Sequence, residues 1–90
     1  MVTLSIKAED IILDVRTPEE FKAGHIIGAI NIPLDQLKNN PGQLEDKNRR
    51  IITCCASGVR SASAVRVLKV NGYTNVQDGG GWISLQTKLN

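Results

Sequence analysis

Apolar positions fall along this chain in short β-branched runs, separated by stretches with helical spacing. Such alternation predicts βα units over a largely parallel sheet, an α/β fold. "DIILDV" (10–15) is a compact apolar run of strand length, followed directly by "RTPEEF". There Thr17 can cap, Pro18 fills the first helical position and Glu20 completes a capping box. A strand therefore runs straight into a short helix that stops near Gly24. "GAINI" (28–32) reads as a second strand ended by Pro33, and "LDQL" as one further helical turn. The polar stretch "NNPGQLEDKNRR" (39–50) is a surface connection, since neither side of it is long enough to fold alone. "RIITCC" supplies the third strand. From Ser61 to Asn71, Ala64, Val65, Val67 and Leu68 crowd one side while Arg66 and Lys69 lie elsewhere, which predicts a helix stopped by Gly72. "TNVQD" is a short fourth strand, "GGG" a turn, and "WISLQTKL" a terminal helix that packs through Trp82, Ile83 and Leu85.

Length and composition narrow the classes. Ninety residues make one domain, 1–90, with one small core. With 41% hydrophobic and 22% charged residues, the balance is that of a globular protein, and no apolar run approaches the roughly 18 residues a membrane span requires. The net charge is only +2 and there are three aromatic side chains, so the basic-aromatic surface that grips single-stranded nucleic acid is lacking. Neither nucleic acid nor membrane is an expected partner. "MVTLSIKAED" lacks the features of a secretory signal, so the expected compartment is the cytoplasm; the periplasm is the alternative if a signal has been removed.

The cysteines change the picture. Cys54 and Cys55 are neighbours, and a vicinal disulfide would strain its geometry and close no useful loop. The strand-loop-helix at 50–71 instead places Cys55 at the carboxyl edge of the sheet, where open α/β sheets bind ligands. A thiol facing the first turn of a helix meets unpaired N–H groups and the positive end of the helix dipole. A free thiol of pKa ~8.5 is about 3% ionised at pH 7, whereas one at ~6.5 is about three-quarters ionised. Ala56, Ser57 and Gly58 are small enough to curl with their amides inward, and Arg60 adds a cation able to grip an oxyanion. A second sulfur carried on Cys55 would be the anion this cradle holds.

"CASGVRS" (55–61) resembles the active-site loop of rhodanese-type sulfurtransferases, and "DVRTPEEFKAGHIIGAINIP" (14–33) resembles the same family's upstream signature. "NGYTNVQDGGGW" (71–82) is similar to its closing strand and glycine turn. The resemblance implies a small rhodanese-like domain: a mostly parallel sheet of four to five strands flanked by helices. It implies Cys55 as the sulfur carrier, cycling between thiol and persulfide. Ala56, Ser57, Gly58, Val59, Arg60 and Ser61 form the substrate-binding loop, with Asp14 and Arg16 as nearby supports. Thiosulfate or a persulfide is the implied donor, and cyanide or a thiol the acceptor, with a sulfur-relay protein as a further candidate partner. Only thirteen residues precede Asp14, so the chain looks like a minimal member. It is expected to act as a monomer, without metal or cofactor, since two adjacent cysteines and a lone histidine offer no four converging ligands.

Plainer roles compete residue by residue. Strand alternation turns Cys54 to the face opposite Cys55, as core filler. His25 is expected to cap or pack at a helix end, Trp82 to sit in the core, and "KNRR" (47–50) to form a solvated turn. Asp14 and Arg16 are as well explained by tying the first strand to its neighbours as by contact with a ligand. At the level of function, cysteine phosphatases and arsenate reductases also wrap an anion with a loop ending in arginine, but with five intervening residues against four here. A non-catalytic binding module is the remaining alternative, although degenerate members generally lose the cysteine that this chain keeps.

Overall fold

The computed structural model describes residues 5–39 and 44–89. In chain order it comprises β1 (Ile11–Asp14), α1 (Pro18–Ala23), β2 (Ile30–Asn31), α2 (Leu34–Asn39), β3 (Ile51–Cys55), α3 (Val59–Val70), β4 (Val76–Gly81) and α4 (Trp82–Lys88). The four strands form one sheet in the order β2-β1-β3-β4, and every pairing is parallel. This is the α/β sheet flanked by helices that the alternating pattern predicts.

Strand alternation divides the core in two. Ile11 and Leu13 of β1 and Ile51 and Cys55 of β3 face one side, where Leu37 of α2 and Ala64 and Leu68 of α3 cover them. Ile12, Ile52 and Cys54 face the other side, against Leu85 of α4 and Ile26. Both faces are covered, so β1 and β3 are buried at every position and read as unbroken apolar runs. Tyr73, past the end of α3, donates its hydroxyl to the Leu44 carbonyl and closes the first cluster.

The start of α1 follows the local code. Glu20 N–H donates to Thr17 Oγ1 at 3.2 Å and Thr17 N–H donates to Glu20 Oε1 at 3.1 Å, a reciprocal capping box behind Pro18. At its other end His25 stacks on Phe21, with ring centroids 3.7 Å apart, and its Nδ1 lies 2.7 Å from the Phe21 carbonyl oxygen. His25 thus caps and packs.

Several expectations are corrected. The strand expected over 28–32 shrinks to Ile30–Asn31, because Ala29 N–H donates to the Ile26 carbonyl and closes a turn just before it. The glycines read as a turn belong to β4. A Cβ on Gly79 would lie 2.6 Å from the Thr53 carbonyl oxygen and 2.8 Å from Leu85 Cδ2, so only glycine lets β4 pass that close to β3 and α4. The helix expected from Ser61 begins at Val59 instead, where Ala62 N–H donates to the Gly58 carbonyl. In α4, Leu85 is buried and Trp82 half-buried, whereas Ile83 is exposed rather than packed. Of the 39–50 connection, residues 40–43 lie outside the described residues. Of the remainder, Asn39 ends α2 and Leu44 is buried in the first cluster rather than on the surface, while residues 45–49 are exposed and Arg50 forms a salt bridge with Asp10 at 2.7 Å. No helix among the described residues is long and apolar enough to cross a membrane.

Candidate active site

Cys55 ends β3, and the next residues that could block its thiol are small. The loop Ala56–Gly58 turns back over the sulfur because Gly58 takes φ +100°, a backbone conformation that L side chains rarely adopt. The turn directs Gly58 N–H to Cys55 Sγ at 3.0 Å, and Ser61 N–H, one turn into α3, reaches the same sulfur at 3.3 Å. The thiol is the floor of this loop, not its rim: Cys55 is 1% exposed, while Ala56 and Ser57 are open to solvent.

Two opposing effects set its ionisation. Burial raises the thiol pKa, but hydrogen bonds from the Ser61 backbone and side chain, Gly58 and Ser57 together outweigh it, and the net shift is downward. Cys54 shows burial without such donors. It is wholly buried on the other face, and burial, reinforced by the Asp14 carboxylate, pushes its thiol up to about 12. Within the pair, the surrounding donors favour ionisation at Cys55, while burial disfavours it at Cys54.

The cradle is held from β4. Ser61 Oγ donates to Asp78 Oδ1 at 2.7 Å and lies 3.0 Å from the Gly58 carbonyl, while Gly80 N–H donates to the same Asp78 oxygen at 2.9 Å. Thr53 Oγ1 donates to the Ser61 carbonyl at 3.0 Å from inside the sheet. The start of α3 is therefore tied to both β3 and β4.

Arg60 stands in the first turn of α3 but is not the free cation that the loop pattern predicts. Its Nη1 and Nη2 donate to the two carboxylate oxygens of Glu20 at 2.7 and 2.9 Å. The guanidinium holds Glu20 down to about 2, with the Thr17 amide assisting. Val59 points outward and is 74% exposed.

Asp14 and Arg16 form a separate unit. Arg16 Nη2 donates to Asp14 Oδ2 at 2.7 Å and to the Gly24 carbonyl at 2.7 Å, and the guanidinium lies 4.9 Å from the centroid of the Trp82 ring. Asn31 Nδ2 adds bonds to the carbonyls of Asp14 and Arg16. Asp14 pairs in register with Cys54, and neither Asp14 nor Arg16 makes a hydrogen bond to Cys55 among the described residues. They join β1, β2, α1 and α4 beside the site.

Two residues of this region carry no sign of their role in the sequence: Asp78 reads only as a strand residue and Glu20 only as half of a capping box. Each works through a partner far along the chain, and no local pattern marks it.

Chemically, a sulfur anion ringed by main-chain amides can attack an electrophilic sulfur and then keep the new terminal sulfur as an anion. Fold and site define a parallel α/β sheet that presents an amide-cradled cysteine at its carboxyl edge. A family model described as "Rhodanese-like domain" matches residues 3–82. The thiosulfate sulfurtransferase PspE of Escherichia coli is 38% identical over 80 residues, covering 88% of this chain and 77% of that protein. The chloroplastic thiosulfate sulfurtransferase 16 of Arabidopsis thaliana is 41% identical over 87 residues, covering 84% of this chain and 72% of the relative. A solved structure described as a rhodanese with anions from E. coli superposes with a TM-score of 0.77 at 37% identity, covering 83% of this chain and 89% of that one. The chain belongs to the rhodanese-like domain family, and its activity class is sulfur transfer.

Proposed function

We propose that Cys55 carries a sulfane sulfur as a persulfide, taking it from thiosulfate or a persulfide donor and passing it to cyanide or a thiol. The observation that carries this reading is the pair of amides, Gly58 N–H and Ser61 N–H, both directed at Sγ. With thiosulfate, the thiolate attacks the outer sulfur, the sulfur–sulfur bond of the donor breaks, and sulfite leaves with the electron pair. The outer sulfur is then the anion of a Cys55 persulfide, within reach of the same amides. Cyanide attacks that terminal sulfur, thiocyanate departs and the thiolate is restored.

In this reading Ala56, Ser57, Gly58 and Val59 line the mouth, Ser61 supplies an amide, and Asp14 and Arg16 act as scaffold. Phosphate or arsenate chemistry is less well supported, because the arginine such chemistry needs for its oxyanion is already forked by Glu20. A sulfur-relay protein would meet the loop through exposed Ala56, Ser57 and Val59.

Intact-mass measurement tests the reading. Incubation with thiosulfate is expected to add one sulfur atom to the protein, cyanide to remove it as thiocyanate, and Cys55→Ala to abolish both. A protein that gains no sulfur from thiosulfate or from an alkyl persulfide overturns it.

A further inference from the structure

The guanidinium that the loop could offer to an anion is already engaged, and its partner is itself anchored. Glu20 Oε1 accepts from Arg60 Nη1 at 2.7 Å and from both the amide and the hydroxyl of Thr17 at 3.1 Å. Glu20 Oε2 accepts from Arg60 Nη2 at 2.9 Å. This fork-on-fork contact is the geometry arginine uses for a bound carboxylate or other planar oxyanion. Resting on the sulfur-transfer reading above, we propose that Glu20 determines donor selectivity: its carboxylate occupies Arg60 as a built-in anion, so the site disfavours dianionic thiosulfate and favours a persulfide with a small uncharged tail.

Three observations support this assignment. Arg60 is electrically coupled to the reacting sulfur, since Glu20 raises its pKa most and Cys55 and Asp14 add to the rise. Arg60 borders a pocket of about 250 Å³ whose wall is apolar at Val15, Pro33 and Leu34, with Thr17 beside them and Lys38 and Asp35 at its edge. Lys38 and Arg60 are the two cations there and Asp35 the one acid, so the charges cancel only once Glu20, forked on Arg60, is counted. A donor tail entering this pocket would meet an apolar wall. Finally, the Arg60 guanidinium holds Glu20 down to about 2, so its carboxylate is ionised at neutral pH. Transfer from such a donor balances simply. The Cys55 thiolate attacks the outer sulfur of R–S–SH, the R–S⁻ thiolate leaves with the electron pair, and the proton on the outer sulfur is released to R–S⁻ or water.

The test uses a readout that needs no sulfur transfer: the rate of Cys55 alkylation by iodoacetate relative to iodoacetamide, an anionic and a neutral probe of similar size. Glu20→Gln keeps the capping box, because glutamine serves at that helical position as well as glutamate. It is expected to raise the iodoacetate-to-iodoacetamide ratio roughly fivefold, the scale of freeing one partly exposed charge. Glu20→Ala should raise it similarly even if α1 frays, and adding Arg60→Met to Glu20→Gln should abolish the rise. Glu19→Gln removes the same charge one residue away from an exposed position and should leave the ratio unchanged. In parallel, sulfur loading from thiosulfate relative to ethyl persulfide should increase in Glu20→Gln. An unchanged alkylation ratio in both Glu20 variants, or an equal rise in Glu19→Gln, overturns the proposal. A ratio that rises while no variant takes sulfur from either donor would sink the sulfur-transfer reading alone and leave Glu20 as the residue that screens anions from Cys55.

Discussion

Cys54 and Cys55 share a peptide bond yet face opposite sides of the sheet. One packs among Ile12, Ile26, Ile52 and Leu85, and the other lies beneath the loop that opens α3. Their ionisation diverges accordingly, with Cys54 pushed up to about 12 by burial and Cys55 shifted down overall.

This divergence gives stability a pH signature. Cys54 releases its proton near 9.0 when unfolded and only at about 12 when folded, so unfolding becomes easier as pH rises through that window. Cys55 runs in the opposite sense: its lowered folded value contributes stability above about 9.0 that is lost as pH falls through the folded value. Urea unfolding between pH 7 and 10.5 should show wild type losing up to ~1.4 kcal/mol per pH unit more steeply than Cys54→Ala above pH ~9. Parallel profiles would remove the buried thiol as the cause.

Gly58 links backbone conformation to thiol chemistry. Gly58→Ala forces a Cβ into φ +100°, at a cost of about 1–2 kcal/mol, and relaxation toward negative φ turns the amide away from Sγ. The expected outcome is a higher Cys55 pKa, read as a shift to higher pH in the rate of iodoacetamide alkylation. A variant that loses stability but alkylates with the wild-type pH profile would show that this amide does not govern the sulfur.

The Asp14–Arg16 pair should behave as one unit. Both are nearly inaccessible, 0% and 4% exposed, and removing one leaves the other's charge buried without its counter-charge. Asp14→Ala or Arg16→Met is expected to cost about 3–5 kcal/mol by denaturant unfolding, and the double variant distinctly less than the sum of the two. Additive losses would mean that the two side chains act independently.

What could be read from the chain follows the range of the forces involved. The capping box at Thr17 and Glu20, the strand around Ile11 and the nest after Cys55 depend on residues within a few positions of one another, and a linear pattern displays them. Gly79 reads as a turn residue in the sequence because the atoms that forbid a side chain there, the Thr53 carbonyl and the Leu85 methyl, come from other elements. The same holds within the site. Cys55 and its loop are consecutive residues, whereas Glu20 meets Arg60 across 40 positions and Asp78 meets Ser61 across 17, contacts created only when the sheet assembles.

The divergence of the two cysteines also decides how the protein survives oxidants. Of the two thiols, the one at residue 55 has the surroundings that favour its anion and hence oxidation to a sulfenic acid, a state that a second thiol can recycle by closing a disulfide. The chain has two cysteines, and the other is locked behind the sheet. Cys54 therefore cannot serve as that partner, and a sulfenic acid at residue 55 would depend on another thiol, such as a small cellular one, to escape irreversible oxidation.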